Sequence, residues 1–330
     1  MKGVLGIAEL LSCVVILVVA RNIDERCKID EKTRIVCRCI GNEEFLLPEG
    51  YNYENVTSLH IASCSFANLH FSSLTEANRI TEIVVQNISE RLIFELFLTS
   101  KRIKRLKLSN IRRIPSITRD TFLSLDSIGS MKIEDTRIDR FEELFTNITI
   151  TDFSMINVTI EQVDGLNFSG KGGTLKIENT DFQNITGSLN FAYFSKIEIV
   201  RSKFQLQKPS HLLIEGDLVY LDNCVFSNAS ANVVAAGSIT INDTCADGKS
   251  SMRLSSSKIE SVNNRLPTEI VYTRNKLLKE PFFIQNNTVC IAGNCKCPKS
   301  GAQSTRATTI CSLFALQFFL TISFLLSVLL

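Results

Sequence analysis

One short pattern recurs along this chain every twenty-two residues, and it limits the possible folds more than any other feature. The segments MKIEDTRI from Met131, FSMINVTI from Phe153, LKIENTDF from Leu175, IEIVRSKF from Ile197 and VYLDNCVF from Val219 start at equal intervals. Each opens with an apolar residue and has another two positions on. Most have a small polar residue or Cys at the fifth position after the start and Phe or Ile at the seventh. LHIASCSF from Leu59, MRLSSSKI from Met252 and IVYTRNKL from Ile270 fit the same frame. Weaker copies begin at Ile83 and Leu106, where Glu90 and Arg113 hold the seventh position and the apolar residue comes slightly later. Random apolar runs do not keep register over four steps. Alternation with period two inside each copy predicts a short strand with two inward side chains. A fixed period of this length implies one strand per turn of a coil, stacked in a parallel sheet. Only thirteen residues separate Ile239 from Met252. That is too short for a full turn and predicts an irregular coil or loop.

The frame is similar to L-x-x-L-x-L-x-x-N-x-L, and the chain resembles a divergent leucine-rich-repeat protein from residue 56 to about residue 280. Leu74, Phe97, Phe122, Leu144 and Leu166 each fall nine residues before the strand starts at 83, 106, 131, 153 and 175. There the resemblance implies a buried side chain in the convex arc. The best single copy is ITRDTFLSLDSIGSMKIEDTRI, residues 117–138. The chain also departs from the family. The ladder asparagine is replaced by Cys64, Thr136, Thr180, Ser202, Cys224 and Ser257, with Asn only at Asn275. A small polar group can still satisfy the backbone at the bend. After Leu175 the convex phenylalanine is lost, and those copies read equally as coils of a right-handed parallel β-helix. The expected fold is mainly β: a right-handed parallel β-solenoid of leucine-rich-repeat type, with about 9–11 coils and disulfide-stapled caps.

Cys27, Cys37 and Cys39, in CKIDEKTRIVCRC, stand before the first repeat and resemble the stapled N-terminal cap of extracellular leucine-rich-repeat proteins. Such caps usually hold four cysteines, which makes Cys64 the candidate fourth. The ladder position would equally suit Cys64 as a small buried residue, as it does Cys224. Cys290, Cys295 and Cys297, in CIAGNCKC, are placed to close a C-terminal cap with Cys245. Four cysteines allow three pairings, and the spacing does not choose among them. Setting aside Cys13 and Cys311 with the processed ends leaves nine, an odd number. Secretion favours disulfides over metal binding for the C-x-C steps.

Residues 1–20 read as a secretory signal peptide. Lys2 precedes an apolar run from Leu10 to Val19, and Ala20 is the small residue before the cut. At the other end, Ser300-Gly301-Ala302, a polar spacer and the apolar tail ICSLFALQFFLTISFLLSVLL form the pattern of a glycosylphosphatidylinositol signal. Ser300 is the expected attachment residue, with Gly301 and Ala302 as alternatives. A single-pass helix is the competing reading of the tail. Sequons occur at Asn55, Asn87, Asn147, Asn157, Asn167, Asn184, Asn228, Asn242 and Asn286, which suggests a heavily glycosylated ectodomain. The expected organisation is therefore a signal (1–20), a cysteine-containing N-terminal cap (21–55), a solenoid (56–280), a C-terminal cap (281–300) and a removed propeptide (301–330).

Net charge is +2, and losing Lys2, Glu9 and Arg306 with the two ends makes it +1. That balance gives no support for a nucleic-acid partner. No catalytic constellation is visible among His60, His70 and His211 or elsewhere, no phosphate loop is present, and no cofactor or metal is expected. His60 should point outward. Gly170, Gly172 and Gly173 read as a turn between coils. Outward charges such as Lys132 and Glu134, or Lys176 and Glu178, alternate in sign, as cross-strand pairing would arrange them. Basic residues crowd 101–119, and of these Arg105 and Lys107 should project from the concave face as a patch for an acidic glycan or protein. The expected role is that of a glycolipid-anchored surface glycoprotein, not an enzyme. It would bind an extracellular protein or glycan in adhesion, receptor assistance or recognition. A structural coat component is the alternative, and a β-helix carbohydrate-active enzyme is a third reading.

Overall fold

Backbone pairing follows the repeat. The computed structural model describes residues 25–290 and 297, apart from residues 31, 41–42, 48–50, 71–73, 75–76, 96–100, 123, 143–144, 248, 268–269 and 275–281. The expected signal peptide, Ser300, the C-terminal tail, Phe97, Leu144, Asn275 and Cys295 lie outside the described residues. The chain divides into two units, Met1–Cys295 and Lys296–Leu330, and the solenoid belongs to the first.

On the first face, strands Arg34–Arg38, Ser58–Ala62, Glu82–Ile88, Arg102–Ile117, Ser127–Phe141 and Thr149–Val163 pair in that order, each parallel to the one before. Gly172–Glu178, Leu189–Val200, Lys203–Asp222, Val225–Asn242, Ser251–Val262 and Phe283–Gln285 continue the series. The result is a mainly β solenoid of about ten turns. Leu59, Ile83, Leu106, Met131, Phe153, Leu175, Ile197, Val219, Ile239 and Ile259 stack in one inward column, none more than 2% exposed. Each such aliphatic side chain contributes about 1.5–3 kcal/mol on burial. Together they hold a core that no single coil has.

The register corrects two expectations. Ile239 pairs with Ile259, so the coil that was to be irregular is regular and only shortened to twenty residues. Met252 and Ile270 align with Leu212 and Ala231 on a third face, not on the first. Phe66, at the seventh position of the first copy, does not enter the interior. Ala67 and Leu69 fill the interior, while Phe66 is half-buried beneath the Arg91 guanidinium, 5.0 Å from its centroid.

The bend after each first-face strand has a constant backbone. Ser63, Asn87, Asn110, Asp135, Asn157, Asn179, Arg201, Asn223, Asp243, Asn263 and Asn286 all have φ between 45° and 62°. Asn and Asp dominate because their short polar side chains tolerate the left-handed region that most side chains avoid. The repeat's asparagine therefore sits one position before the ladder residue. The ladder itself runs inside, through Thr180, Ser202, Cys224, Thr244, Asn264 and Asn287. Ser257, expected in this column, instead donates to the Gly237 carbonyl at 2.7 Å. Within the ladder, the Thr180 N–H donates to Ser202 Oγ (3.1 Å), the Thr244 N–H to Asn264 Oδ1 (2.8 Å) and the Asn264 N–H to Asn287 Oδ1 (2.9 Å). Asn264 is 1% exposed and also donates to the Ile241 carbonyl at 2.8 Å. Replacing it with alanine leaves a buried N–H and a buried carbonyl without these partners. The expected cost is about 2–3 kcal/mol, measurable as a lowered urea midpoint at unchanged slope.

Phenylalanines fill the rest of the interior. Phe122, Phe145, Phe168 and Phe191 stand in a column with centroids 5.4, 5.3 and 6.2 Å apart. The column runs one coil beyond Leu175, to Phe191, and its row continues as Ile214 and Val233. The phenylalanine recurs every twenty-three residues while the strands recur every twenty-two, so it drifts from any fixed offset. Leu74, Phe122 and Leu166 are buried as expected.

The N-terminal end is stapled. The strand Cys27–Asp30 runs antiparallel to Arg34–Arg38, and Cys27–Cys37 bridges this pair. Cys39–Cys64 ties the first rung to the second through the ladder position. Cys245, Cys290 and Cys297 are also disulfide-bonded, whereas Cys224 is a free, fully buried thiol. Burial pushes that thiol up to about 12, so it stays protonated and inert.

Candidate functional site

The outward side chains of the first face form a surface that runs continuously from coil to coil. Because strand residues alternate, their identity is independent of the core. In the N-terminal half this surface is a set of charge pairs. Arg105 contacts Glu82 at 3.2 Å, and Lys107 contacts Glu134 at 3.2 Å. Farther along, Lys176 meets Glu178 at 2.8 Å, and Arg201 meets the same carboxylate from the next coil. Burial pushes the Glu82 carboxyl up, but hydrogen bonds from His60 and Ser58 and the charge of Arg105 outweigh it and hold Glu82 below the usual range. Glu134 is lowered in the same way by Lys132 and Lys107 against its burial. Exposed pairs of this kind contribute about 0–1 kcal/mol each. Arg105 and Lys107 do point outward, yet acids from adjacent coils answer both charges.

Toward the C-terminal end exposed apolar side chains join polar ones such as Thr240, Lys258 and Glu260 on the same face. Leu218 is 48% exposed, Tyr220 37% and Phe283 54%. Beside them burial, and then the neighbouring charge of Asp243, raise the Asp222 carboxyl, against the opposing pull of Arg201.

Two grooves flank this face. One, of about 660 Å³, follows the bend where each coil enters the first face, along the aligned residues Gly172, Phe194, Gly216, Ala235 and Ser256. Gly172 is required there because a Cβ would come within 2.4 Å of the Phe194 ring. Tyr193 stands at its edge, 53% exposed and with φ of 70°. The other groove, of about 580 Å³, is lined by Glu90, Arg91, Arg112, Arg113 and Arg137. Sequence reading found the basic crowding over residues 101–119 but assigned the patch to Arg105 and Lys107. Arg91 and Arg137 were missed because they lie a coil away on either side.

None of the nine sequon asparagines is buried. Asn87, Asn157 and Asn286 occupy the left-handed bend after the first face, and Asn184 and Asn228 occupy the next one, with φ of 44° and 56°. Asn55 and Asn147 lie in exposed turns, while Asn167 and Asn242 are half-buried on strands. Among the described residues, no group of three or more His, Cys, Asp or Glu is arranged to hold a metal. His60 lies on the outward face between Arg34, at 3.1 Å, and Glu82, at 3.3 Å.

The class defined by these features is a disulfide-stapled β-solenoid. No family model, no curated protein and no solved structure matches the chain.

Proposed function

We propose that this chain is a cell-surface glycoprotein, held by a glycolipid anchor at Ser300, whose solenoid binds an extracellular protein partner in adhesion, receptor assistance or recognition. The observation that carries this reading is the division of labour on the first face. Inward residues are uniformly apolar, whereas outward ones change from paired charges to a mixture in which Leu218, Tyr220 and Phe283 stand exposed beside polar neighbours. A stacked sheet of this kind offers an extended surface whose composition is free of the core. The disulfides at the N-terminal end support an oxidising compartment, and the exposure of Asn55, Asn87, Asn147, Asn157, Asn184 and Asn286 supports glycosylation. Buried Leu74, Phe122 and Leu166, together with the four-cysteine staple, favour a leucine-rich-repeat type for the N-terminal coils.

Phosphatidylinositol-specific phospholipase C is expected to release the protein from intact cells, and retention after treatment would overturn the anchor. Proximity labelling on the same cells is expected to return one dominant protein neighbour. A diffuse set of matrix components would favour the structural-coat reading instead.

A further inference from the structure

The arginine groove has a construction that the first face lacks. Its residues come from successive coils, on the strands Arg91–Glu95, Arg102–Ile117 and Ser127–Phe141. Between Ile111 and Ile114 the register against the next strand shifts, so Arg112 and Arg113 both face solvent. A regular strand would turn one of them inward. The Arg91 guanidinium lies over the Phe66 ring, 5.0 Å from its centroid. Among the described residues, neither Arg91 nor Arg112 forms an ion pair. Asp139, with its side chain 18% exposed, accepts from Arg113 Nε at 2.7 Å and lies 4.0 Å from Arg137 Nε. Being gripped by its inner edge, Arg113 keeps both Nη groups unbonded.

We propose that this groove is a binding site for a linear sulfated polysaccharide. A guanidinium offers paired N–H donors that match the oxygens of a sulfate. Arginines on successive coils recur along the solenoid axis at about the 4.8 Å strand spacing, so an extended polyanion would meet them in turn. Four of the five lining residues are arginines, with Glu90 as the fifth and Arg137 paired to Glu161, and a protein partner would need a desolvated apolar or aromatic centre, which is missing from this lining. The whole chain carries only +2, so the attraction is local and not a property of bulk charge. That such a polymer would be met in the cell rests on the surface location proposed above. The binding itself does not.

The test uses the full-length chain, purified in detergent, on dextran sulfate, neutral dextran and polyglutamate columns developed with salt. The chain is expected to stay on dextran sulfate alone. Losing one charge-assisted contact weakens binding by about tenfold, so Arg112→Gln should elute earlier. Arg112→Gln with Arg113→Gln should lose about 100-fold in affinity. Arg105→Gln with Lys107→Gln, on the paired first face, should elute with the parent. Among the described residues Arg112 has no ion-pair partner to lose, so the single variant tests the site without disturbing the fold. Equal retention on neutral dextran, an unchanged Arg112→Gln profile, or an equal loss in the first-face variant would each overturn the assignment. Retention on polyglutamate as strong as on dextran sulfate would move it to an acidic peptide. Phospholipase release of the cell-surface protein reports separately on its location, so the two ideas can fail independently.

Discussion

Truncating Phe204 to alanine is expected to destabilise the solenoid by about 3–5 kcal/mol, the range for removing a fully buried ring. Phe204 is 0% exposed and stacks between Phe182, at 4.9 Å, and Phe226, at 5.2 Å, while Phe191 touches it from the other phenylalanine column at 6.2 Å. It is the point where the two aromatic columns meet. Its neighbours cannot close the gap, because parallel pairing fixes the height of the coils on either side. Coils stabilise only their nearest neighbours, so the cavity should also uncouple the two halves. Urea unfolding followed by tyrosine fluorescence should show a lowered midpoint and a broadened or split transition. Phe204→Leu, which retains most of the volume, should lose about half as much. A loss below about 1 kcal/mol for the alanine variant would mean that this column does not carry the core.

Replacing Cys39 and Cys64 together with serine is expected to cost about 3–4 kcal/mol, from the chain-entropy value for a sequence separation of 25. The effect should be concentrated at the N-terminal end. Without this bridge the first rung, Arg34–Arg38, is joined to the next only by non-covalent contacts, the backbone pairing with Ser58–Ala62 and the Arg34–His60 contact among them. The interior beneath Ile35 and Leu59 would then open to water. Secreted yield should fall several-fold, and limited proteolysis should cut first near the amino terminus. Cys224→Ala is the internal control. That thiol is buried and unpaired, so its loss should leave yield and disulfide content unchanged. An undiminished yield from the Cys39/Cys64 double variant would show that the hairpin Cys27–Arg38 caps the stack unaided.

The parts of the fold legible in the sequence were those where one periodicity acts alone. From Met131 to Val219 the strand starts, inward pairs and parallel order follow directly from the twenty-two-residue spacing. Reading failed where two faces carry the same alternation. MRLSSSKI from Met252 has the right pattern because any inward-facing strand does, yet it belongs to the third face. The bend distinguishes them: Asp243 and Asn263 take the left-handed turn that follows the true starts, Ile239 and Ile259. The phenylalanine column escaped for a related reason, since a spacing of twenty-three slides past a search tied to twenty-two. For the charged surface, sequence proximity was the wrong measure. Glu82 and Glu134, which neutralise Arg105 and Lys107, are a full coil away. The shift between Ile111 and Ile114 that brings out Arg112 and Arg113 leaves no mark in composition.

The stacking of one coil on the next has a mechanical consequence. Tension applied at the carboxyl-terminal end would reach Thr288–Cys290 on Arg265–Pro267 first, and then Phe283–Gln285 on Ser251–Val262. Each coil that let go would add roughly 70–80 Å of slack, at about 3.3–3.6 Å per extended residue, while those behind it kept their grip. A molecule so wound gives way in small increments under a steady tug, lengthening gradually where a single globular core would snap.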